Sequence, residues 1–377
     1  MNTLHSSHPD APAIRKPIAG DIPLSSAVDP LVVEGTLYER LPGDAVHCFA
    51  CGHHCRIKSG ARGICQVRYN RGGTLYVPWG YVSSLNCDPI EKKPFYHVLP
   101  GTTVMTFGML GCDMHCTYCQ NWDISQALRD GDAEGTPARI SAEQIVHLAA
   151  QYGARSVASS YNEPLITSEW SVSVFKLAQA AGLACMFVSN GNATRDALEF
   201  IRPWTDAYKI DLKTMRDAGY RSLGAVLERI LDGVRMVHAL GFWLEIVTLV
   251  VPGFNDSNDE LRDAARFIRS VSPDIPWHVT AFHQDYKMRE AENTDARTLM
   301  RAAEIGYGEG LHYVYAGNLP GRAGSYENTV CPGCGRTLVE RRGFRVLNSV
   351  ITPAGECPHC RTVVAGIWSA KRAPQTR

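Results

Sequence analysis

Apolar and β-branched runs alternate with amphipathic stretches through the middle of the chain. The runs at Thr102–Leu110, Ser156–Ser160, Ala184–Ser189, Ala207–Asp211, Trp243–Val250 and Trp277–Ala281 have the length and residue types of buried strands. Ser141-Ala-Glu-Gln144 is a capping box ahead of Ile145, Leu148 and Ala149 at helical spacing. Further helices are predicted over Thr167–Ala181, over Thr194–Ile201 before Pro203, over Tyr220–Leu240 ended by Gly241, from a cap at Ser257-Asn-Asp-Glu260, and over Asp295–Tyr307. Six strand–helix repeats imply a parallel sheet with helices outside it. A closed eight-unit barrel usually takes about 250 residues and roughly 220 are at hand, so the predicted fold is α/β, an incomplete (β/α)6 barrel.

Two cysteine-bearing modules flank this core. The predicted organisation is a flexible tail over 1–36, a four-cysteine module over 37–80, the barrel over 81–322, a second four-cysteine module over 323–369 and a short tail over 370–377. The stretch Met1–Val33 is rich in Pro, Ala, Ser and Asp; it lacks a basic start followed by an apolar core and does not read as a signal peptide. No apolar stretch reaches the roughly 18 residues of a membrane span. Lys+Arg and Asp+Glu are both 38, which argues against a general nucleic-acid or membrane-surface binder.

Thirteen cysteines in 377 residues change the picture. Eleven fall into three tight groups, and Cys87 and Cys185 stand alone as expected packed thiols. An odd total in metal-type spacings favours thiolate–metal chemistry in a reducing compartment, so the cytoplasm is expected. Cys331-Pro-Gly-Cys334 and Cys357-Pro-His-Cys360, with 22 residues between the pairs, form a zinc-ribbon pattern whose spacer suits two strands, Thr337–Val339 and Val346–Val350. Cys48, Cys51, Cys55 and Cys65 are a second four-thiol set, open to zinc or to an auxiliary [4Fe–4S] cluster, with His47, His53 and His54 as alternative ligands.

The third group, Cys112, Cys116 and Cys119, follows the first barrel strand in Gly111-Cys-Asp-Met-His-Cys-Thr-Tyr-Cys-Gln-Asn-Trp122. Three thiolates are one too few for a closed tetrahedral zinc site or for ordinary four-cysteine cluster ligation. A [4Fe–4S] cluster held by three cysteines keeps one iron open to a ligand that can receive an electron. The bland reading is a structural metal knot. C-x-x-x-C-x-x-C with an aromatic residue before the last cysteine, on a loop between strand and helix, resembles the signature of the radical S-adenosylmethionine (SAM) enzymes.

Ligands of parallel α/β folds gather at the carboxyl ends of strands. The residues found there are Gln120 and Asn121, Tyr161-Asn-Glu-Pro164, Ser189-Asn-Gly191, Asp211-Leu-Lys213, Val251-Pro-Gly-Phe-Asn-Asp256 and Phe282-His-Gln-Asp-Tyr-Lys287. For SAM, Glu163 suits the amino group, Lys213 and Asn190 the carboxylate, Asp211 the ribose and Tyr118 the adenine. Singly, most have plainer readings: Asn190-Gly191 and Val-Pro-Gly as turns, Glu163 as a cap before Pro164, His283 as a satisfied polar residue.

The core resembles radical SAM enzymes of the pyruvate formate-lyase activating type. The chain is more similar still to the radical SAM component of the AmmeMemoRadiSam system, from about Leu37 to Trp368. That resemblance rests on Cys65-Gln-Val-Arg-Tyr-Asn70, Asp88-Pro-Ile-Glu-Lys-Lys-Pro94, Cys119-Gln-Asn-Trp122, Tyr161-Asn-Glu-Pro164, Asp211-Leu-Lys213, Phe282-His283 with Asp285-Tyr-Lys-Met288, and Tyr313-Val-Tyr-Ala-Gly-Asn-Leu-Pro-Gly321. It implies that Cys112, Cys116 and Cys119 bind a [4Fe–4S] cluster and that Asn121, Glu163, Asn190, Asp211, Lys213 and His283 contact SAM. It also implies an oxidoreductase that cleaves SAM to a 5′-deoxyadenosyl radical and abstracts a hydrogen atom from a substrate. An external electron donor and Memo-type and AMMECR-type partners follow from the same likeness. The alternatives are an activase for a glycyl-radical enzyme and, from another class, a zinc-ribbon scaffold or nucleic-acid binder. Three positions depart from the family: Tyr161 and Asn162 replace two glycines before the glutamate, and Gln284 stands where proline is expected.

Overall fold

The computed structural model describes residues 24–369. Eight strands form one sheet in chain order: β1 (Ser84–Pro89), β2 (Thr103–Gly108), β3 (Ser156–Ser159), β4 (Ala184–Ser189), β5 (Ala207–Asp211), β6 (Trp243–Val250), β7 (Trp277–Ala281) and β8 (Val314–Gly317). Strands β2 to β8 are parallel, and β1 pairs antiparallel with β2. All six predicted strands are present. The six-strand expectation is corrected by two more. Strand β8 is short and lies in a stretch that lacks a run of its own. Strand β1 alternates Leu85 and Cys87, packed on the outer core, with Ser84, Asn86 and Asp88 on the inner face.

The helices are α1 (Ala142–Gln151), α2 (Ser168–Ala180), α3 (Arg195–Ile201), α4 (Asp217–Ser222), α5 (Leu227–Ala239), α6 (Asn258–Val271) and α7 (Ala296–Gly308). The capping box at Ser141 is formed as its sequence predicts. The single helix predicted over Tyr220–Leu240 is instead two, α4 and α5. Gly224 between them has φ +86°, and a Cβ there would meet His115 Nε2 at 2.8 Å. Only glycine satisfies both the left-handed backbone and the close approach to the cysteine loop.

The outer face of the sheet packs on the helices through a large apolar core that includes Phe107, Phe175, Phe187 and Tyr208. The inner face has an apolar floor of Ile90, Phe95, Val98, Leu99, Val104, Ala158, Met186 and Ala207. Above the floor the inner face turns polar, which is where the candidate site lies.

The N-terminal module consists of two three-stranded antiparallel sheets spanning Val32–Pro78. Residues 24–36, read as tail from composition, are partly folded: Leu24–Val28 is helical and Val32–Glu34 pairs with Thr74–Pro78. The expectations for 1–23 and 370–377 lie outside the described residues. Arg68 anchors the module by a two-pronged ion pair to Glu169 on α2, both distances 2.8 Å, with both side chains buried. Burial alone would raise the Glu169 carboxyl; the Arg68 guanidinium outweighs it and holds the group below the usual carboxylate range.

The C-terminal module is a three-stranded sheet, Thr329–Val330, Thr337–Arg342 and Arg345–Ser349, with the predicted hairpin in place. Arg341 ties it to the barrel, donating to the Tyr96 carbonyl and the Thr329 hydroxyl, both at 2.8 Å. Glu245, at the foot of β6, accepts from the backbone N–H of Tyr96 and His97 at 3.0 Å and lies 2.7 Å from His278 Nε2. This network closes the bottom of the sheet. No described helix is long and apolar enough to cross a membrane.

Candidate cofactor site at the strand ends

The cysteine loop leaves β2 through Met109 and Leu110. At Gly111, φ is +86° and a Cβ would lie 2.7 Å from the Cys65 carbonyl, so glycine lets the loop press against the N-terminal module. Arg129 clamps the loop from the other side, donating to the carbonyls of Met114 (2.9 Å) and Cys112 (2.7 Å), and also to that of Ile64. The His115 N–H donates to the Leu223 carbonyl at 3.0 Å.

Cys116 is buried, and Cys112 and Cys119 are partly so. Burial pushes all three thiols up: Cys112 well above its ordinary value, Cys116 to about 11, and Cys119 less because Ser125 Oγ lies 3.2 Å from its sulfur. Thiolates here need a cation to stabilise them, as metal ligation supplies. A tetrahedral ion with sulfur ligands at about 2.3 Å sets them about 3.8 Å apart. Among the described residues, only Cys331, Cys334, Cys357 and Cys360 bring three or more ligand atoms all within 4.8 Å of one another. The triad does not form such a group.

The C-terminal quartet has the tight spacing. Its sulfurs lie 3.5 Å apart at Cys331–Cys360 and 3.7 Å at Cys334–Cys357, close to the tetrahedral edge, so the quartet is a four-cysteine metal site. Cys48, Cys51, Cys55 and Cys65 gather behind the cysteine loop without that spacing. Burial raises the Cys51 thiol, and the neighbouring Asp113, Cys48 and Cys65 raise it further.

Glu163 is buried at the end of β3 and fully engaged. Its carboxylate accepts from Leu165 N–H (3.0 Å), Ser189 Oγ (2.8 Å) and Asn190 N–H (2.7 Å). The capping role is therefore real, and the same oxygens also bind the Asn190 loop. Burial first, and then the nearby Asp113 carboxylate, push Glu163 far above the carboxylate range. Asp113 itself accepts from Asn190 Nδ2 (2.7 Å) and Asn192 Nδ2 (2.8 Å). A bound ammonium beside Glu163 would offset this crowding of negative charge.

Asp211 lies between two ammonium groups, Lys209 and Lys213, the latter at 3.4 Å. Burial opposes its ionisation, but Lys209 and Lys213 prevail and hold it below its ordinary value. Asn255 locks Lys213 in place by donating to its carbonyl at 2.7 Å, so the Val251–Asp256 segment is more than a turn. Tyr118 is buried against Phe254, ring centroids 5.7 Å apart.

The structure therefore brings together Cys112, Cys116, Cys119, Tyr118, Glu163, Asn190, Asp211 and Lys213. Asn121 is exposed at the start of a short helical turn, Trp122–Ser125. His283 is half exposed and 3.7 Å from Asp285, on a loop whose Lys287 N–H donates to the Thr117 carbonyl at 2.9 Å. Between these two loops is an open cleft of about 640 Å³, lined by Trp122 stacked on Tyr286 and by Asp130 and Lys287.

Sequence reasoning passed over Asp113, Asn192, Lys209 and Arg129. The signals were available for two of them: Asp113 is inside the cysteine motif, and Asn192 completes Asn-Gly-Asn after β4. Tyr161 has a left-handed backbone, with φ +71°.

Residues 107–268 match the model of the Radical SAM superfamily. An uncharacterized protein of Methanocaldococcus jannaschii is 38% identical over 313 residues, 82% of this chain and 92% of that one. The pyruvate formate-lyase-activating enzyme of Clostridium pasteurianum is 24% identical over 217 residues, 52% of this chain and 86% of that one. Among solved structures, a radical SAM methyltransferase from Sphaerobacter thermophilus is similar at 14% identity, with 63% of this chain and 71% of that one covered and a TM-score of 0.45. The cysteine loop lies inside the matched segment, and the match to the archaeal relative runs through most of both chains: this protein belongs to the radical SAM superfamily.

Proposed function

We propose that this chain is an oxidoreductase of the AmmeMemoRadiSam type that starts a radical reaction on a small molecule or protein residue. In this reading Cys112, Cys116 and Cys119 hold a [4Fe–4S] cluster, and SAM lies across the strand ends. The observation that carries it is the triad: three thiols, Cys116 buried and Cys112 and Cys119 partly so, on a loop facing Glu163, Asp211 and Lys213. When bound and reduced, the cluster supplies one electron that splits the C5′–S bond of SAM, giving methionine and a 5′-deoxyadenosyl radical that takes a hydrogen atom from the substrate.

The chain's own residues bind and orient. Glu163 receives the SAM ammonium, Lys213 and Asn190 the carboxylate, and Asp211 the ribose hydroxyls. Tyr118 covers the adenine side, with Asn121 and His283 completing the rim. The C-terminal quartet holds zinc and serves to brace the bottom of the barrel through Arg341. The N-terminal quartet takes zinc or a second cluster. Memo-type and AMMECR-type proteins are the proposed partners, with an external electron donor.

The activase reading draws on the name of the Clostridium relative, but that match covers 52% of this chain and leaves both cysteine modules unexplained. Anaerobic reconstitution with iron and sulfide, followed by SAM and dithionite, tests the proposal. A brown protein that forms 5′-deoxyadenosine supports it. A colourless protein that binds only zinc and leaves SAM intact would refute it in favour of a scaffold.

A further inference from the structure

Strand β1 is unusual for the inner lining of an α/β sheet. Its register pairs Ser84 with Gly108, Asn86 with Thr106 and Asp88 with Val104. Val104 belongs to the inner apolar floor, so the same face of the pleat carries Thr106, and across from it Asn86 and Asp88. Strands covered on both sides are normally apolar there.

Lys93 folds back onto this wall. Its ammonium is 3.5 Å from Asp88 Oδ2, 3.2 Å from the Tyr161 hydroxyl and 4.2 Å from the centre of the Tyr161 ring, and its side chain is only 7% exposed. Tyr161 accepts a second hydrogen bond from Asn86 Nδ2 at 3.0 Å, and Ser84 stands beside the same hydroxyl. The tyrosine holds φ +71°, a conformation side chains rarely adopt, and so keeps its hydroxyl on this wall at a cost in backbone strain. One buried oxygen on this wall, Thr106 Oγ1, lacks any hydrogen-bond partner, while Asp88 Oδ2 is held only by the 3.5 Å ion pair to Lys93. Thr106 is fully buried. An unpaired polar atom on an inner wall points to a missing ligand.

Lys209 on β5 is also buried and close enough that its ammonium and that of Lys93 repel. Beyond it, the Asp211 side chain is 35% exposed on a central strand, so the interior opens to solvent above this wall. Four ammonium groups (Lys92, Lys93, Lys209, Lys213) meet two carboxylates (Asp88, Asp211) along this wall. The missing partner is an anion.

We propose that Asn86, Asp88, Lys93, Thr106 and Tyr161 form the substrate subsite, which takes a small organic acid by its carboxylate, with Lys93 as the pairing cation. The inference rests on the radical SAM reading, since it sets the substrate beneath the adenosyl site. The acid group held by Lys93 and Tyr161 presents its neighbouring carbon upward, toward the strand ends where the radical would form. Lys92, next in the chain, is half exposed on the rim and pairs with Asp88 at 2.9 Å, so it serves as an internal control.

The test uses glyoxylate, a small oxo acid, on the full-length protein. A free lysine amine condenses with its aldehyde, water leaves, and cyanoborohydride delivers hydride to the C=N bond to fix a carboxymethyl group on nitrogen. Burial pushes the Lys93 ammonium down to about 8, so near neutral pH it carries free amine for this reaction. Fragment mapping should show Lys93 labelled at least about tenfold faster than Lys92, with malonate suppressing only the Lys93 label. The Tyr161→Phe variant, which removes one hydroxyl, should lose most of that suppression. Equal labelling of the two lysines, or a Lys93 label indifferent to malonate, would overturn the proposal. Labelling needs neither cluster nor SAM cleavage, so a failure here and an absence of 5′-deoxyadenosine are separate results.

Discussion

The C-terminal quartet and the triad after β2 use the same side chain on short loops, yet they hold it differently. In the quartet, two Cys-x-x-Cys turns face each other across a hairpin and bring sulfurs to 3.5 and 3.7 Å. Cys334 and Cys360 are exposed, and no carboxylate joins the group. In the triad, one loop carries all three sulfurs at wider spacing, beside Asp113 and in reach of Lys213. The quartet has the spacing of a closed four-thiolate site, and the triad has only three sulfurs to offer. Spacing and surroundings, more than residue type, separate the two groups.

The largest break in this comparison is Cys116→Ala. Formation of 5′-deoxyadenosine should fall to the uncatalysed background and cluster iron should be lost, while the C-terminal metal stays at full occupancy by elemental analysis. Second is Cys357→Ala, which removes a buried ligand of the quartet. Structural zinc contributes roughly 10 kcal/mol to small zinc domains, so limited proteolysis should open residues 329–367 while the brown colour of the triad persists. Loss of both metals in either variant would show that the two sites are not independent.

Arg68→Met comes third. It strands the buried Glu169 carboxylate and should cost about 3–5 kcal/mol in urea unfolding, loosening the module behind the triad and leaving the quartet intact. The smallest effect is a pH dependence of the same pair. Glu169 has a folded pKa below its ordinary 4.5, so its stabilisation is present above that value and disappears as pH falls through the lowered one. Wild-type protein should lose more stability over that acid range than Glu169→Gln. A parallel decline in both proteins would contradict the assignment.

The pleat and helix periods were legible where burial is one-sided or complete, and so the six parallel strands and the capping box at Ser141 match their predicted positions. Strand β1 was passed over because its alternation of Leu85 and Cys87 with Ser84, Asn86 and Asp88 is brief and carries Asn, Asp and Pro, residues depleted in strands, and the break between α4 and α5 was not legible because Gly224 reads as an ordinary helical glycine until His115 lies against it. The family motifs Cys65–Asn70 and Asp88–Pro94 were visible as strings without a role. Arg68 proves to be an anchor, and Lys93 turns inward.

By itself the sequence determined which residues bear chemistry: three cysteine groups with distinct spacings, carboxylates and lysines at the strand ends, and a neutral overall charge. Covalent spacing along the chain is enough for that, because a short loop confines its own side chains. Only the tertiary structure decided which of them meet. Asp113 with Glu163, Arg68 with Glu169 and Lys93 with Tyr161 are far apart in sequence, and burial and electrostatic coupling exist only once the sheet brings those segments into contact.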